Sequence, residues 1–232
     1  MDLSRTEMML GAQAICTLQN KHVALFGLGG VGGACLEGLV RAGVGHITVF
    51  DNDTVSKSNL NRQLLALQST VGQLKTSVAI AHAKDLNPNV EIIAHNVFYD
   101  ANNQMDFPMG AFDYVIDAID TVSSKLLIVE NAKKAGTPII MCLGTGNKLD
   151  PTRFRITPIK QTHTCPLAKV MRRELGVRGF CDIPALWSDE TPHKPAQPIK
   201  ENGRYIPGSV SFVPPVAGFC IVAHVVKELL QL

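Results

Sequence analysis

HVALFGLGGVGGACLEGLVRA, residues 22–42, is the stretch that decides the fold. Its first five residues form an apolar run that predicts a buried strand, and residues 31–42 predict a helix that Gly43 ends. Between them lies a G-x-G-x-x-G loop. In a strand–loop–helix unit, such glycines let backbone N–H groups approach a phosphate at the helix N-terminus. The stretch therefore predicts a nucleotide site with glycine contacts at Gly27, Gly29, Gly30 and Gly32.

The rest of the first half alternates between strand and helix patterns. Further strands are expected at 46–50, 91–97, 114–119 and 138–143, with helices at 72–86 and 122–135. Such alternation is typical of a Rossmann-like, doubly wound α/β fold, in which helices flank a mainly parallel sheet.

The second half has a different character. We expect a strand at 153–159, a basic helix at 166–175, a long exposed loop at 182–208 and a closing apolar helix at 216–230. The closing helix is expected to cover the sheet or to form a subunit interface. We predict a single domain over 1–232, with a nucleotide-binding core at 1–146 and a smaller basic lobe plus the closing helix at 147–232.

Composition excludes several classes of protein. The chain has 232 residues, of which 46% are hydrophobic and 18% charged, so a disordered chain is excluded. The apolar stretch 210–226 is interrupted by Pro214 and Pro215, and the N-terminus lacks a signal-peptide pattern. These features predict a cytoplasmic protein with no membrane partner. None of the six cysteines forms a C-x-x-C pair, which argues against structural zinc.

A dense polar stretch, DNDTVSKSNLNRQ at 51–63, follows the second strand. Asp51 has the position of an acid that accepts hydrogen bonds from a ribose, which would serve NAD and ATP equally. Arg62 and Lys75 distinguish the two, because converging cations suit a triphosphate. A surface ion pair is the simpler alternative for these two cations.

Two acids end the strand at 114–119. A carboxylate next to a triphosphate commonly holds Mg²⁺, and Asp120 is the candidate ligand, with Asp117 beside the nucleotide. A helix N-cap is the competing role for Asp120.

Positive charge is concentrated between residues 148 and 178, where eight basic residues face only two acids, giving about +6 in a chain of net charge +2. Such a segment suits a polyanion, although a solvated helix face is an equal alternative. The candidate residues for binding a polyanion within it are Lys160, Lys169, Arg172, Arg173 and Arg178.

Four pieces in order resemble the ThiF/MoeB/HesA superfamily, the bacterial relatives of ubiquitin-activating enzymes: GLGGVG at 27–32, DNDTVSKSNLNRQ at 51–63, VGQLK at 71–75 and DAID at 117–120. The resemblance implies a homodimer that binds ATP and Mg²⁺ and adenylates a carboxylate. It implies nucleotide contacts or catalytic roles for a set of polar residues, namely Asp51, Asp53, Ser58, Asn59, Arg62, Gln63, Lys75 and Asp120. Arg5 would match an arginine that reaches the ATP of the neighbouring subunit.

The second half resembles the branch of this superfamily that dehydrates threonylcarbamoyladenosine in tRNA. The matching pieces are DPTRFRITPI at 150–159, PLAKVMRREL at 166–175 and SVSFVPPVAG at 209–218. The resemblance implies tRNA as the substrate, and a sulfur-relay or ubiquitin-like protein as a further partner. Some members of the branch have a cysteine just before the last helix, but residues 204–209 contain none. Cys165 and Cys181 lie in the basic lobe and its loop, and either could supply a thiol in its place, although the favoured alternative is that neither takes part in the reaction.

Three alternatives remain open at this point. The first is adenylation of the C-terminal glycine of a ubiquitin-like sulfur carrier, although the absence of C-x-x-C pairs weakens it. The second is an NAD-dependent oxidoreductase, and the third is a non-enzymatic adaptor that binds nucleotide and RNA. Binding of ATP rather than NAD, and dependence on modified tRNA rather than on a carrier protein, would separate them.

Overall fold

A computed structural model describes residues 1–201 and 203–232 and contains one large sheet and a small hairpin. The helices are α1 (Ser4–Leu10), α2 (Ala12–Gln19), α3 (Gly30–Ala42), α4 (Lys75–Leu86), α5 (Val122–Ala135), α6 (Pro166–Val177) and α7 (Val213–Leu230). The strands are β1 (His22–Phe26), β2 (His46–Phe50), β3 (Glu91–His95), β4 (Tyr114–Asp117), β5 (Ile139–Cys142), β6 (Phe154–Pro158), β7 (Pro184–Ser188), β8 (Lys200–Glu201) and β9 (Arg204–Tyr205).

The seven-stranded sheet has the order β3-β2-β1-β4-β5-β7-β6. Every neighbouring pair is parallel except β6 and β7, which run antiparallel at one edge. The chain moves outward from β1 through β2 on one side and continues from β4 on the other. This reversal is the topological switch point at which open α/β sheets bind ligands. The doubly wound fold is thus confirmed.

Two apolar clusters cover the two faces of the sheet. On one face, α2, α3, α4 and α7 pack residues such as Leu36 and Ile221 against the strands. On the other, α5 and α6 pack residues such as Ile128 and Met171, with stacked Phe26 and Phe50 at the ends of β1 and β2. The closing helix α7 lies directly on α3, where a Cβ on Gly218 would come within 2.5 Å of the Val31 carbonyl oxygen.

Helix α7 is long and apolar enough to cross a membrane by length and composition alone. Its packing on α3, β5 and β7 accounts for that composition, because the core helix of a globular domain meets the same criterion.

The prediction of an exposed loop at 182–208 is wrong for residues 184–188. Residues 184–188 form β7, which lies between β5 and β6 and buries Ala185, Leu186 and Trp187. Prolines and polar residues on either side conceal this short apolar run in the sequence. Because β6 and β7 extend the same sheet, residues 147–232 are continuous with the core and do not form a separate body.

Element boundaries differ from the expected ones in a few places. The helix expected from residue 72 begins at Lys75, because Gly72 adopts φ +88° and Leu74 bridges to Thr54. The strand expected to reach residue 119 ends at Asp117. Helices α1 and α2 were not anticipated at all.

Candidate functional site

The glycine loop follows β1 at the switch point, and at two of its glycines an added Cβ would come within 3.0 Å of a backbone carbonyl oxygen. Gly27 has φ +92°, and a Cβ there would lie 2.8 Å from the Ala118 carbonyl oxygen. A Cβ on Gly32 would lie 1.8 Å from the Gly27 carbonyl oxygen. Gly32 therefore closes the turn by packing against Gly27, and it does not line the cavity as the nucleotide-contact prediction required.

One large cavity, of about 1070 Å³, opens at the carboxyl ends of the parallel strands. It is bordered by predicted residues from the glycine loop and the polar stretch, namely Gly27, Gly29, Gly30, Asp51, Asp53, Asn59, Arg62, Gln63, Lys75 and Asp120. The structure thus brings together ten residues from four separate stretches of the sequence. Helix α3 begins at Gly30, so its N-terminal N–H groups and positive dipole end face the same space.

Asp51 is fixed at the end of β2 by backbone hydrogen bonds. Its carboxylate accepts the N–H of Leu28 at 2.6 Å and the N–H of Asp53 at 2.8 Å. Burial raises the pKa of this carboxyl, while the Lys75 ammonium and those two N–H groups act to lower it. Both oxygens are oriented before a ligand arrives, which suits an acceptor for ribose hydroxyls.

Lys75 and Arg62 present the cations on the same side of the cavity. Lys75 is 5% exposed, and its Nζ lies 2.8 Å from Asp53 Oδ2 and 4.0 Å from Asp51 Oδ1. Arg62 donates from Nη1 to the Ser58 carbonyl at 2.8 Å and to Asn61 Oδ1 at 2.9 Å. The ion-pair alternative thus holds in part, because Lys75 does have a carboxylate partner. That pair borders the cavity, so a phosphate can replace Asp53.

Ser58 does not border the cavity, and its predicted nucleotide contact stays a prediction. Its hydroxyl lies 2.8 Å from Ser56 Oγ, while its carbonyl holds Arg62. Asn59 accepts the Ser56 N–H and so closes this short turn.

Asp117 does not border the cavity either, and its predicted contact with the nucleotide stays a prediction. It is fully buried and forms an ion pair with Lys125, whose Nζ lies 2.9 Å from Asp117 Oδ2 and which is itself 0% exposed. Lys125 also donates to the carbonyls of Ile119 and Cys142, so it ties the ends of β4 and β5 together. Sequence reasoning missed Lys125. A lysine among the apolar residues of the 122–135 helix was the available signal.

Asp120 is exposed, lies three residues beyond Asp117 and borders the cavity. In the described ranges, no three His, Cys, Asp or Glu side chains come together as a metal site. A lone carboxylate fits Mg²⁺, which is commonly held by one or two carboxylates together with substrate phosphates. Thr121 occupies the N-cap position of α5, so Asp120 does not have the competing capping role.

Arg5 lies far from this cavity within its own chain. It is exposed on α1, and the neighbouring Leu3 packs on Gly43, just before the amino end of β2. The nucleotide loop is at the opposite, carboxyl end of the strands. Its predicted contact with the ATP of a neighbouring subunit stays a prediction.

About half of the net charge of the basic segment is neutralised by acids from elsewhere in the chain. Asp189 pairs with Arg153 and Arg155, Asp182 pairs with Lys160, and Glu130 pairs with Arg178. These three acids reduce the local charge from about +6 to about +3.

Most of the basic residues predicted to bind tRNA have hydrogen-bond or ion-pair partners within the protein. Arg172 donates to the Thr162 carbonyl and Arg173 pairs with Glu174. In the described part of the chain, Lys169 makes no ion pair. The five tRNA contacts stay a prediction, and the structure gives four of them partners within the protein.

Two thiols border the cavity. Cys142 is buried at the end of β5, where burial raises the pKa of its thiol to about 12. Cys165 is buried at the start of α6. Cys181 does not line the cavity. All six cysteines are free thiols.

A family model described as "ThiF family" matches residues 3–232. The chain belongs to the ThiF family. This assignment confirms the resemblance drawn from the glycine loop and the polar stretch, and it covers both halves of the sequence.

Comparison with individual relatives shows which ThiF-family proteins this chain is similar to. It is 40% identical to a tRNA threonylcarbamoyladenosine dehydratase of Bacillus subtilis, over 98% of this chain and 94% of the relative. It also matches a crystal structure of the E. coli tRNA N6-threonylcarbamoyladenosine dehydratase in complex with ATP, with a TM-score of 0.90, 29% identity and coverage of 99% and 93%. A more distant relative is the yeast adenylyltransferase and sulfurtransferase UBA4 (Saccharomyces cerevisiae), 32% identical over 71% of this chain but only 39% of its own length.

Proposed function

We propose that this protein uses ATP to adenylate and cyclise N6-threonylcarbamoyladenosine in tRNA, with overall loss of water. The observation that carries the proposal is a single cavity at the switch point that holds a glycine loop, a pre-oriented Asp51 and the cations Arg62 and Lys75. The chain is similar to the Bacillus subtilis dehydratase over nearly its full length, and this similarity is the reason for proposing threonylcarbamoyladenosine in tRNA as the substrate. The ATP complex of the E. coli relative supports ATP as the nucleotide.

In this proposal, different residues of the cavity bind the ribose and the phosphates of ATP. Asp51 binds the ribose hydroxyls, and the N–H groups at Gly29 and Gly30 face the phosphates. Arg62 and Lys75 stabilise the negative charge that develops when the α–β phosphate bond breaks. Asp53 releases Lys75 to the phosphate, because the carboxylate is mostly exposed and can turn into solvent.

The proposed reaction has two steps. A carboxylate oxygen of the threonyl group attacks the α-phosphorus and pyrophosphate leaves, which needs no base because the carboxylate is already ionised at pH 7. A carbamoyl atom of the same substrate then attacks the acyl carbon. The acyl bond to AMP breaks and one proton is released. Positioning and electrostatics account for the rate, because both reacting groups belong to bound substrates.

Magnesium is part of this proposal. Asp120 would hold Mg²⁺ together with phosphate oxygens, where the ion would neutralise the charge of the leaving pyrophosphate.

A homodimer is also part of the proposal. The exposed Arg5 on α1 cannot reach its own cavity, and a second copy would bring it to a nucleotide. We place the protein in the cytoplasm, together with its tRNA substrate.

Mass spectrometry of tRNA nucleosides tests the function directly. After incubation with ATP and Mg²⁺, threonylcarbamoyladenosine should lose the mass of one water, and reactions without ATP should leave it unchanged. Unchanged nucleoside in the complete reaction would refute the dehydratase activity.

The similarity to UBA4 favours one competing function, which is the adenylation of a ubiquitin-like sulfur carrier. Pyrophosphate exchange that depends on such a carrier and ignores modified tRNA would favour it. A sulfur-relay partner would be identified in the same experiment.

A further inference from the structure

The cavity continues past the triphosphate residues toward the ends of β4 and β5. Strands in a sheet are about 4.8 Å apart, so β5, which is two strands from β1, ends about 10 Å from the glycine loop. This second half of the cavity is bordered by the start of α5 and by the loop that follows β5. Neither contributes to the glycine loop or to the cation pair.

Ser124 lies in the first turn of α5 and borders this half of the cavity. It is 1% exposed, and its hydroxyl has no hydrogen-bond partner in the structure. A buried hydroxyl without a partner is costly unless a ligand supplies one. Helix α5 has 14 residues and no side-chain N-cap, so its unpaired N–H groups and positive dipole end lie beside that hydroxyl.

Lys148 borders the same half of the cavity from the loop after β5. It is 3% exposed, and its Nζ donates to the Glu190 carbonyl at 2.8 Å. In the described residues this is the only hydrogen bond of the ammonium, which has three N–H donors to offer. Burial lowers the pKa of Lys148, while the Cys165 and Glu190 side chains act to raise it.

The loop that carries Lys148 is held rigidly. Asn147 has φ +57°, and it exchanges hydrogen bonds with Gly208 through both its backbone N–H and its side-chain oxygen. The buried Glu190 carboxylate accepts the N–H groups of Leu149 and Asp150. A cation held this firmly can orient a ligand without losing much side-chain entropy on binding.

We propose that Ser124 and Lys148 form the acyl subsite, which binds the carboxylate of the tRNA-borne threonyl group beside the α-phosphate. A buried cation, an unpartnered hydroxyl and a helix N-terminus that border the same cavity fit an anion. The triphosphate is already matched by Arg62, Lys75 and the glycine loop. This inference rests on the proposed function, in which the threonyl carboxylate is the second anion. One carboxylate oxygen attacks phosphorus while the other stays on Ser124 and Lys148 and becomes the carbonyl oxygen of the adenylate.

Binding measurements without turnover test the subsite. Protein saturated with Mg²⁺ and α,β-methylene-ATP, which cannot be cleaved at the α–β bond, is titrated with tRNA that carries threonylcarbamoyladenosine and with the same tRNA carrying adenosine. The ratio of the two dissociation constants measures recognition of the threonylcarbamoyl group. We expect Ser124→Ala and Lys148→Met each to reduce this ratio about tenfold, the loss of one strong hydrogen bond. Their affinities for the ATP analogue should stay within about twofold of the wild type.

Controls separate binding from folding. Ser124→Ala removes a hydroxyl that has no partner, so the melting temperature should not fall. Ser124→Thr keeps the hydroxyl and should retain the ratio. Lys84→Met, at an exposed site on α4, should change neither dissociation constant.

Three results would overturn the subsite. They are a wild-type protein that binds the two tRNAs equally, a Ser124→Ala variant that keeps the full ratio, and variants that lose ATP-analogue affinity in proportion to tRNA affinity. Failure of the proposed function looks different. The nucleoside would then keep its water in the complete reaction, although the binding ratio is still measurable.

Discussion

Replacing Lys125 by methionine tests the view that a buried ion pair holds the two strand ends beneath the cavity. Methionine keeps an unbranched side chain that is one atom shorter, and it removes the ammonium. The change deprives the Asp117 carboxylate of its partner at 2.9 Å and the carbonyls of Ile119 and Cys142 of their donor at 3.1 and 2.8 Å. Asp117 and Lys125 are both 0% exposed, so water cannot replace the lost contacts.

The expected loss of stability is large. Removing one partner of a buried ion pair costs about 3–5 kcal/mol. In a protein of this size, each kcal/mol lowers the melting temperature by about 2–4 °C, so a loss of 4 kcal/mol corresponds to about 8–16 °C. Adding Asp117→Asn to Lys125→Met removes the stranded charge, and the double variant should regain about 2 kcal/mol relative to Lys125→Met.

The loss should also depend on pH. Burial raises the pKa of Asp117 even in the wild type, and Lys125 acts to lower it. Without Lys125, the folded-state pKa rises further above the unfolded value of about 3.9. Such a group contributes stability below its unfolded pKa, and that contribution is lost as pH rises through the folded pKa. Lys125→Met should therefore cost more at pH 7 than at pH 5. Asp120, which also faces Asp117, is present in both proteins and cancels in the comparison.

Urea unfolding followed by circular dichroism at both pH values measures these differences. Lys84→Met is the matched control, because it removes a surface lysine from α4 and should change stability by less than about 0.5 kcal/mol. A loss below 1 kcal/mol for Lys125→Met, or a double variant no more stable than the single one, would refute the reasoning.

Further predictions concern the glycine loop and the nucleotide. Lys75→Met should lower the rate of dehydration about 10²-fold or more in single-turnover assays, and an unchanged rate would contradict its role at the phosphates. Gly32→Ala should abolish ATP binding and lower the melting temperature, because its Cβ would overlap the Gly27 carbonyl oxygen. Gly176→Ala, where a Cβ meets nothing within 4 Å on α6, should instead be neutral or stabilising by up to about 1 kcal/mol in the same melts. Asp120→Asn should raise the Mg²⁺ concentration needed for half-maximal activity yet leave ATP affinity measured in EDTA unchanged, and an unaltered Mg²⁺ dependence would exclude it as the ligand.

Much of the candidate site was predictable because its signals are local. The glycine loop directly follows β1 and opens α3, and Asp51 ends β2, so their places follow from the carboxyl ends of parallel strands. Asn59, Arg62 and Lys75 lie within one short polar stretch and the helix after it, and all three border the cavity.

The surroundings of other residues could not be predicted, because they depend on distant partners. Asp117 was predicted to lie beside the nucleotide because it ends a strand, but its carboxylate forms an ion pair with Lys125 inside the core. The basic segment looked like an electrostatic surface, but Asp189 and Asp182 approach it only after β7 enters the sheet. Neither pairing leaves a pattern in the sequence near the basic residues.

The sequence by itself determined the βαβ order, the nucleotide loop and the family, because strand and helix periodicity and glycine conformations are properties of neighbouring residues. The tertiary structure alone decided that β7 lies between β5 and β6 and that Ser124 and Lys148 border the same cavity. The physical reason is that sheet order and side-chain pairing bring together residues separated by dozens of positions. Their energies depend on burial and distance, which local patterns do not record.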